Sequence, residues 1–403
     1  MARERKLPSL AGETWLTAKP LREVMEALSY AGGEVRVAGG AVRNALLGVA
    51  VADVDLATTL LPDDVMRASK AAGFGVHPTG LAHGTVTVVN RGVPFEVTTL
   101  RRDVETDGRR AVVSFTTEWA EDAHRRDFTC NALYCGAYGK IYDFTNGYDD
   151  ILKRRIKFVG DARQRIKEDY LRILRYFRFH ARFGSGRMDA KALAACTELR
   201  TGLKKLSAER VRSELLKILE APHAVPALKM MAKRGILNVI LPYTEEWRVL
   251  SRLPADGVLR LSVLASAPSN LQRLLHLSNA EAERIVRLGD TPHLSPRMLG
   301  HEPMRLLYAL GPEAFRDAVQ LSWARSHDAM EDGRWRMLLS LPERWAPPAF
   351  PVSGADLKAL GLAPGPKMGQ LLSALEDYWL ASDFKADKDQ LLAKAREMRS
   401  END

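Results

Sequence analysis

Two aspartates, Asp53 and Asp55, stand one residue apart in VADVDLAT, residues 51–58, a run that otherwise has the composition of a buried strand. In an extended chain residues i and i+2 project to one face, so the two carboxylates point together while Val54 and Leu56 turn away. Like charges so close repel, and ionising both in a half-buried place is costly unless a cation lies between them. An all-oxygen site of this kind suits Mg2+, which takes one or two protein carboxylates and fills its other positions with water and phosphate oxygens. The spacing predicts a metal site on Asp53 and Asp55. Outward alternation on an edge strand would give the same spacing, so the pair is weighed together with its surroundings.

A dozen residues earlier, Gly39 and Gly40 follow the strand-like VRVA and open AVRNALLG, a short helical pattern closed by Gly48. Where a strand turns into a helix, backbone N–H groups are free and missing side chains let a phosphate approach. Arg43 could add a charge-assisted contact to the same phosphate. A triphosphate held at the glycines and bridged by metals to Asp53 and Asp55 is the arrangement of two-metal nucleotidyl transfer. Such a site usually takes a third acidic ligand. Glu96, in PFEVTTLR, sits on a hairpin strand that could pair beside the two aspartates. It could equally be an exposed strand glutamate.

Three further groupings carry chemistry. In RRDFTCNAL, residues 125–133, Arg125 and Arg126 suit phosphates, and Asp127 or Asn131 could bond a ribose 2′-hydroxyl. In EDYLR, residues 168–172, a helix starting there would put Asp169 and Arg172 on one face. On spacing alone that pair is a surface ion pair. Arg175 and Arg178 continue at three-residue steps beside Leu174, Phe177 and Phe179.

Together, GGAVRNALLG, ADVDLAT, RRDFTCNAL and EDYLR resemble the signature of class II tRNA nucleotidyltransferases and bacterial poly(A) polymerases, within the DNA polymerase β-type nucleotidyltransferase superfamily. One departure is Asn44, where the family commonly has Asp after the arginine. The resemblance is dense over residues 35–184 and thinner in 206–219, 235–242 and 277–285. It implies an α+β fold: a polymerase-β-like head of mixed sheet and helices at 1–150, then an all-helical neck (151–220), body (221–340) and tail (341–403). It also implies template-independent addition of CCA to tRNA 3′ ends from CTP and ATP, with Mg2+ on Asp53 and Asp55 and Glu96 as catalytic helper. Gly39, Gly40 and Arg43 would seat the triphosphate. Arg125, Arg126, Asp127 and Asn131 would read sugar and triphosphate, and Arg175 and Arg178 would support phosphate or base. Asp169 and Arg172 would read the base edge shared by cytosine and adenine. RRDVETDGRRAVVSFT, residues 101–116, resembles the family's flexible loop for switching from C to A. Poly(A) addition and a non-catalytic tRNA-binding role are the alternatives on the same fold.

The elements that must hold these residues are legible in outline. Leu21, Val24, Met25 and Leu28 recur at i, i+3, i+4 and i+7 between Pro20 and a glycine pair, which predicts an amphipathic helix. GTVTVVNRGVPFEVTTLR alternates on both sides of Asn90-Arg91-Gly92 and predicts a hairpin. Beyond residue 150 helical patterns dominate, with a basic window at 153–182 and a Pro-rich break at 341–354. A formal charge of +9 and a pI near 9.4 favour an acidic partner, nucleic acid before membrane. The basic start lacks a signal-peptide core, no stretch suits a bilayer, and three cysteines without CxxC spacing fit a reducing cytoplasm. No protein partner is implied.

Overall fold

The apolar spacing of Leu21, Val24, Met25 and Leu28 does what amphipathicity requires: α1 (Lys19–Tyr30) buries all four against a sheet. This computed structural model describes residues 7–107, 110–298 and 300–400. Contacts divide the chain into two units, Met1–Tyr243 with Ala265–Leu277 and Thr244–Leu264 with Ser278–Asp403.

The first unit carries a seven-stranded sheet in the order β3-β4-β5-β2-β1-β8-β9. Its strands are β1 (Val35–Ala38), β2 (Asp55–Thr58), β3 (Gly75–Gly80), β4 (Thr85–Asn90), β5 (Val93–Thr99), β8 (Leu133–Cys135) and β9 (Ile141–Asp143). It is mixed, because β2 and β5 run parallel while the other neighbours are antiparallel. The hairpin forms around Arg91 and Gly92, both at positive φ (51° and 78°), the backbone that a two-residue primed turn needs. A separate two-stranded sheet, β6 (Arg101–Asp107) with β7 (Arg110–Phe115), occupies the segment expected to be a flexible loop. Gly108 and Arg109 of that segment lie outside the described residues.

Two helices flank the catalytic candidates, α2 (Gly40–Leu46) after β1 and α3 (Trp119–His124) after β7. Helices follow β9, among them α4 (Ala162–Glu168), α5 (Leu171–Phe183) and α6 (Ala208–Leu219). The α5 helix buries Ile173, Leu174, Tyr176 and Phe177, which leaves its arginines on the remaining faces.

The second unit is helical among its described residues. One core gathers around Phe315, Trp323 and Trp335, and another around Leu357, Leu375 and Trp379. Its long helix Glu302–Arg325 breaks at Gly311 (φ 77°), just before Pro312, whose ring cannot continue the hydrogen-bond ladder. Arg284 ties Asp256 and Asp317 together at 2.7 and 2.8 Å. No helix among the described residues is long and apolar enough to cross a membrane.

Candidate active site

The strand expected over 51–58 begins only at Asp55, the last residue that β1 can pair, opposite Ala38. Beyond Ala38 the chain turns away at Gly39, so residues 51–54 have no neighbouring backbone to bond. Asp53 therefore lies ahead of the strand, exposed, and not at the in-strand position that the spacing suggested. Asp55 opens β2. The parallel register Leu56–Val97 puts Glu96 of β5 one step ahead, beside Asp55. The Asp55 carboxyl is held above its ordinary range, first by desolvation and then by the Glu96 charge, with Asp53 adding to it and Arg126 opposing. Among the described residues no three His, Cys, Asp or Glu side chains form a metal-holding cluster. The donor set is thus carboxylate pairs whose repulsion a cation would relieve, open to completion by water and phosphate oxygens. That chemistry fits Mg2+.

The turn at Gly39 requires glycine twice over. Its φ is +63°, and a Cβ there would come within 3.2 Å of both the Arg126 guanidinium and the Asn131 carbonyl. The Gly39 N–H donates to the Leu133 carbonyl at 2.9 Å, which ties the turn to β8. The first N–H groups of the helix that follows have no acceptor inside it. Arg43, only 8% exposed, donates to the Asn131 side-chain oxygen and, at 2.8 and 3.2 Å, to that of Asn44. Its partners are neutral, and burial lowers its pKa.

The RRD residues are held by a carboxylate that the sequence did not single out. Asp122, 1% exposed on α3, accepts from Arg125 Nε (3.0 Å), Arg126 Nε and Nη2 (3.1 and 2.9 Å), Tyr134 Oη (2.6 Å) and the Arg101 N–H (3.3 Å). Burial opposes its ionisation, yet the two guanidinium groups and the Tyr134 hydroxyl bring its pKa down to about 2. Asp127 accepts from Arg175 Nε at 2.8 Å, from Asn131 Nδ2 at 3.2 Å and from the Phe128 N–H at 2.9 Å. Here too burial pushes upward and Arg175 prevails, so the carboxylate is held ionised.

EDYLR does not start a helix. The α4 helix ends at Glu168, Asp169 is extended (φ −153°, ψ 108°), and α5 begins at Leu171. Asp169 and Arg172 do not share one helix face as a pair. Asp169 accepts from the Leu171 N–H at 3.0 Å and from Arg210 Nη2 at 2.8 Å, while Arg172 donates to Glu168 and to the Arg165 carbonyl. The break lets both side chains line the same space.

That space is a cavity of about 470 Å3 in the first unit. All fourteen candidates except Asp53, Glu96 and Arg178 line it, from the Gly39 turn and Asp55 on β2 to Arg175 on α5. Arg178 lies beside Glu214, 3.2 Å away, and lines a different cavity. Besides Asp122, reading the sequence for function missed Arg210, Arg165 and Glu168. Asp122 had a local signal, an acid three and four residues before two arginines on a helix. Arg210 had none, because 41 residues separate it from Asp169.

A family model described as the poly A polymerase head domain matches residues 35–157, and one for a probable RNA and SrmB-binding site of polymerase A matches residues 187–248. The mitochondrial CCA tRNA nucleotidyltransferase 1 of Mus musculus is 35% identical over 390 residues, covering 94% of this chain and 90% of the mouse protein. The chain belongs to the class II CCA-adding enzyme and poly(A) polymerase family. Within the family, the mitochondrial enzyme of Danio rerio is 36% identical over 392 residues, covering 89% of this chain and 86% of the fish protein. The crystal structure of the Bacillus stearothermophilus CCA-adding enzyme in complex with CTP superposes with a TM-score of 0.77. It is 28% identical and covers 96% of this chain and all of that one. Nucleotidyltransferases of this family depend on a metal.

Proposed function

We propose that this chain adds C, C and A to tRNA 3′ ends from CTP and ATP, without a nucleic-acid template and with Mg2+ as its metal. The observation that carries the reading is the single cavity of about 470 Å3 in which the glycine turn, Asp55, the RRD residues, Asp169 and Arg172 meet. Groups suited to phosphate, sugar and base thus surround one space of the size that ligand pockets have.

The RNA 3′-hydroxyl attacks the α-phosphorus in line; a P–O bond to it forms as the bond to the β-phosphate bridge breaks, and pyrophosphate leaves. Asp53 and Asp55, with Glu96 beside them, would hold the metal, which when bound offsets the triphosphate charge and eases deprotonation of the attacking hydroxyl. Gly39, Gly40 and Arg43 seat the triphosphate with Arg125 and Arg126, which Asp122 keeps in place. Asn131 and Asp127 meet the ribose, and Arg175 fixes the Asp127 orientation. Asp169 accepts from the exocyclic amine of C or A while Arg172 donates to the neighbouring ring nitrogen. Uracil and guanine present these groups in reverse order and would strand buried polar atoms, a strong basis for rejection.

The division into head, neck, body and tail at residues 150, 220 and 340 belongs to the same proposal, as does action in the cytoplasm; the relatives from mouse and fish are mitochondrial. The test supplies a tRNA transcript without its terminal CCA, with CTP and ATP. Growth that stops after three nucleotides supports the reading. A long A tail overturns it in favour of poly(A) addition, the activity that the matched head-domain model is named for.

A further inference from the structure

Arg43 and Phe179 line a second cavity as well, of about 320 Å3, whose other walls include Asn44, Arg178, Arg182, Phe183 and Lys217. Two phenyl rings organise its cations. Arg43 lies 4.1 Å from the Phe183 ring centre and 5.3 Å from that of Phe179; Arg178 is 4.8 Å from Phe179, and Arg182 is 5.7 Å from Phe183. A guanidinium stacked on a ring uses its face and keeps its in-plane N–H donors for an anion.

Protein carboxylates do not balance this charge. Glu214 lies 3.2 Å from Arg178 and 4.0 Å from Lys217, and Glu220 lines the cavity. Among the described residues Arg182 has no carboxylate partner, and the side-chain acceptors of Arg43 are the amides Asn44 and Asn131. An aspartate at position 44 would place a counter-ion on Arg43. The amide holds the same guanidinium without cancelling its charge. Burial lowers the pKa of both Arg43 and Arg178, and the neighbouring arginines lower it further, as expected where cations crowd without enough anions.

We propose that this second cavity is a phosphate site for the backbone of the RNA strand being extended, close behind its 3′ end. The inference rests on the polymerising reading above. In that reading one triphosphate already fills the first cavity, so phosphate held next door at the same moment comes from the other substrate. Arg182 and Lys217 are exposed, within reach of a polymer whose end enters the neighbouring space.

The test uses the full chain and a tRNA transcript lacking CCA, with binding followed by fluorescence anisotropy over a salt series and no nucleotide present. The double variant Arg182→Gln, Lys217→Gln is expected to weaken binding about tenfold and reduce the salt slope by roughly 1 to 2, one for each lost phosphate contact. The KM for CTP and the Tm stay at wild-type values, and Arg182→Lys restores most of the affinity. Asn44→Asp weakens RNA binding in the same direction. RNA affinity and salt slope equal to wild type would overturn the proposal. A raised KM for CTP, or altered inhibition by pyrophosphate, with unchanged RNA binding would also overturn it and give the cavity to the nucleotide's phosphates. Because binding is read without turnover, a wild-type chain that binds this RNA but adds no CCA refutes the functional reading alone.

Discussion

At the start of β2, Asp55 lies beside Glu96 of β5 with Asp53 nearby, and the surroundings push the Asp55 carboxyl up. Elsewhere in the same unit, Asp122 and Asp127 are also carboxylates near the cavity, but each is bonded to arginine and held ionised. One set carries negative charge that the protein does not neutralise; the other spends its charge on fixing side chains. An acid that must gather a cation and triphosphate oxygens has to keep its lone pairs free, whereas one that positions an arginine has to give them up. The contrast separates chemistry from support more sharply than residue type does.

The contrast makes ordered demands. The largest effect falls on the unpaired set: chelating divalent metal should lower nucleotide incorporation by about 10^4-fold or more while salt-dependent RNA binding persists. Retained incorporation after chelation would remove the reason for leaving those carboxylates unpaired. Next, Asp127→Ala strands the Arg175 guanidinium and should cost about 3 kcal/mol in urea denaturation, far more than a substitution at Asp53.

Asp122→Asn comes third. The folded pKa of about 2 lies below the ordinary 3.8, so this carboxylate adds stability above pH 4 and loses it as pH falls towards 2. The wild type should exceed the variant by about 2 kcal/mol at neutral pH, with the gap closing between pH 4 and 2. A gap unchanged by acid would mean that Asp122 contributes through packing alone. Smallest, Glu96→Gln should slow incorporation by about tenfold, or roughly 1.4 kcal/mol of barrier, while Tm rises slightly as repulsion with Asp55 is relieved. A fall in Tm would place Glu96 among the supporting groups.

Short motifs account for much of this site. The glycine turn, RRDFTCNAL and EDYLR all contribute to one cavity, but spacing alone made Asp169 and Arg172 a surface ion pair, and their role came from the resemblance to the family's signature. What spacing could not give were the ties between distant segments: Arg43 to Asn131, Asp169 to Arg210, and Arg101 and Tyr134 to Asp122. Asp53 was misplaced because an alternating pattern does not reveal where a partner strand stops, and β1 stops at Ala38. The helix assumed for EDYLR failed for a related reason. Helical periodicity runs through residues 162–183, but Asp169 is extended and its carboxylate is bound to Arg210, which splits the run into α4 and α5.

Asp55→Ala tests whether the unpaired acids of β2 and β5 drive the reaction while the paired ones position side chains. Single-turnover addition of CTP to a tRNA ending before CCA would be measured beside equilibrium CTP binding. CTP is expected to bind within about an order of magnitude of wild type while addition falls by at least ~10^3-fold, the loss of a group that acts in the transition state. Addition at the wild-type rate, or a loss explained wholly by weaker CTP binding, would contradict that role.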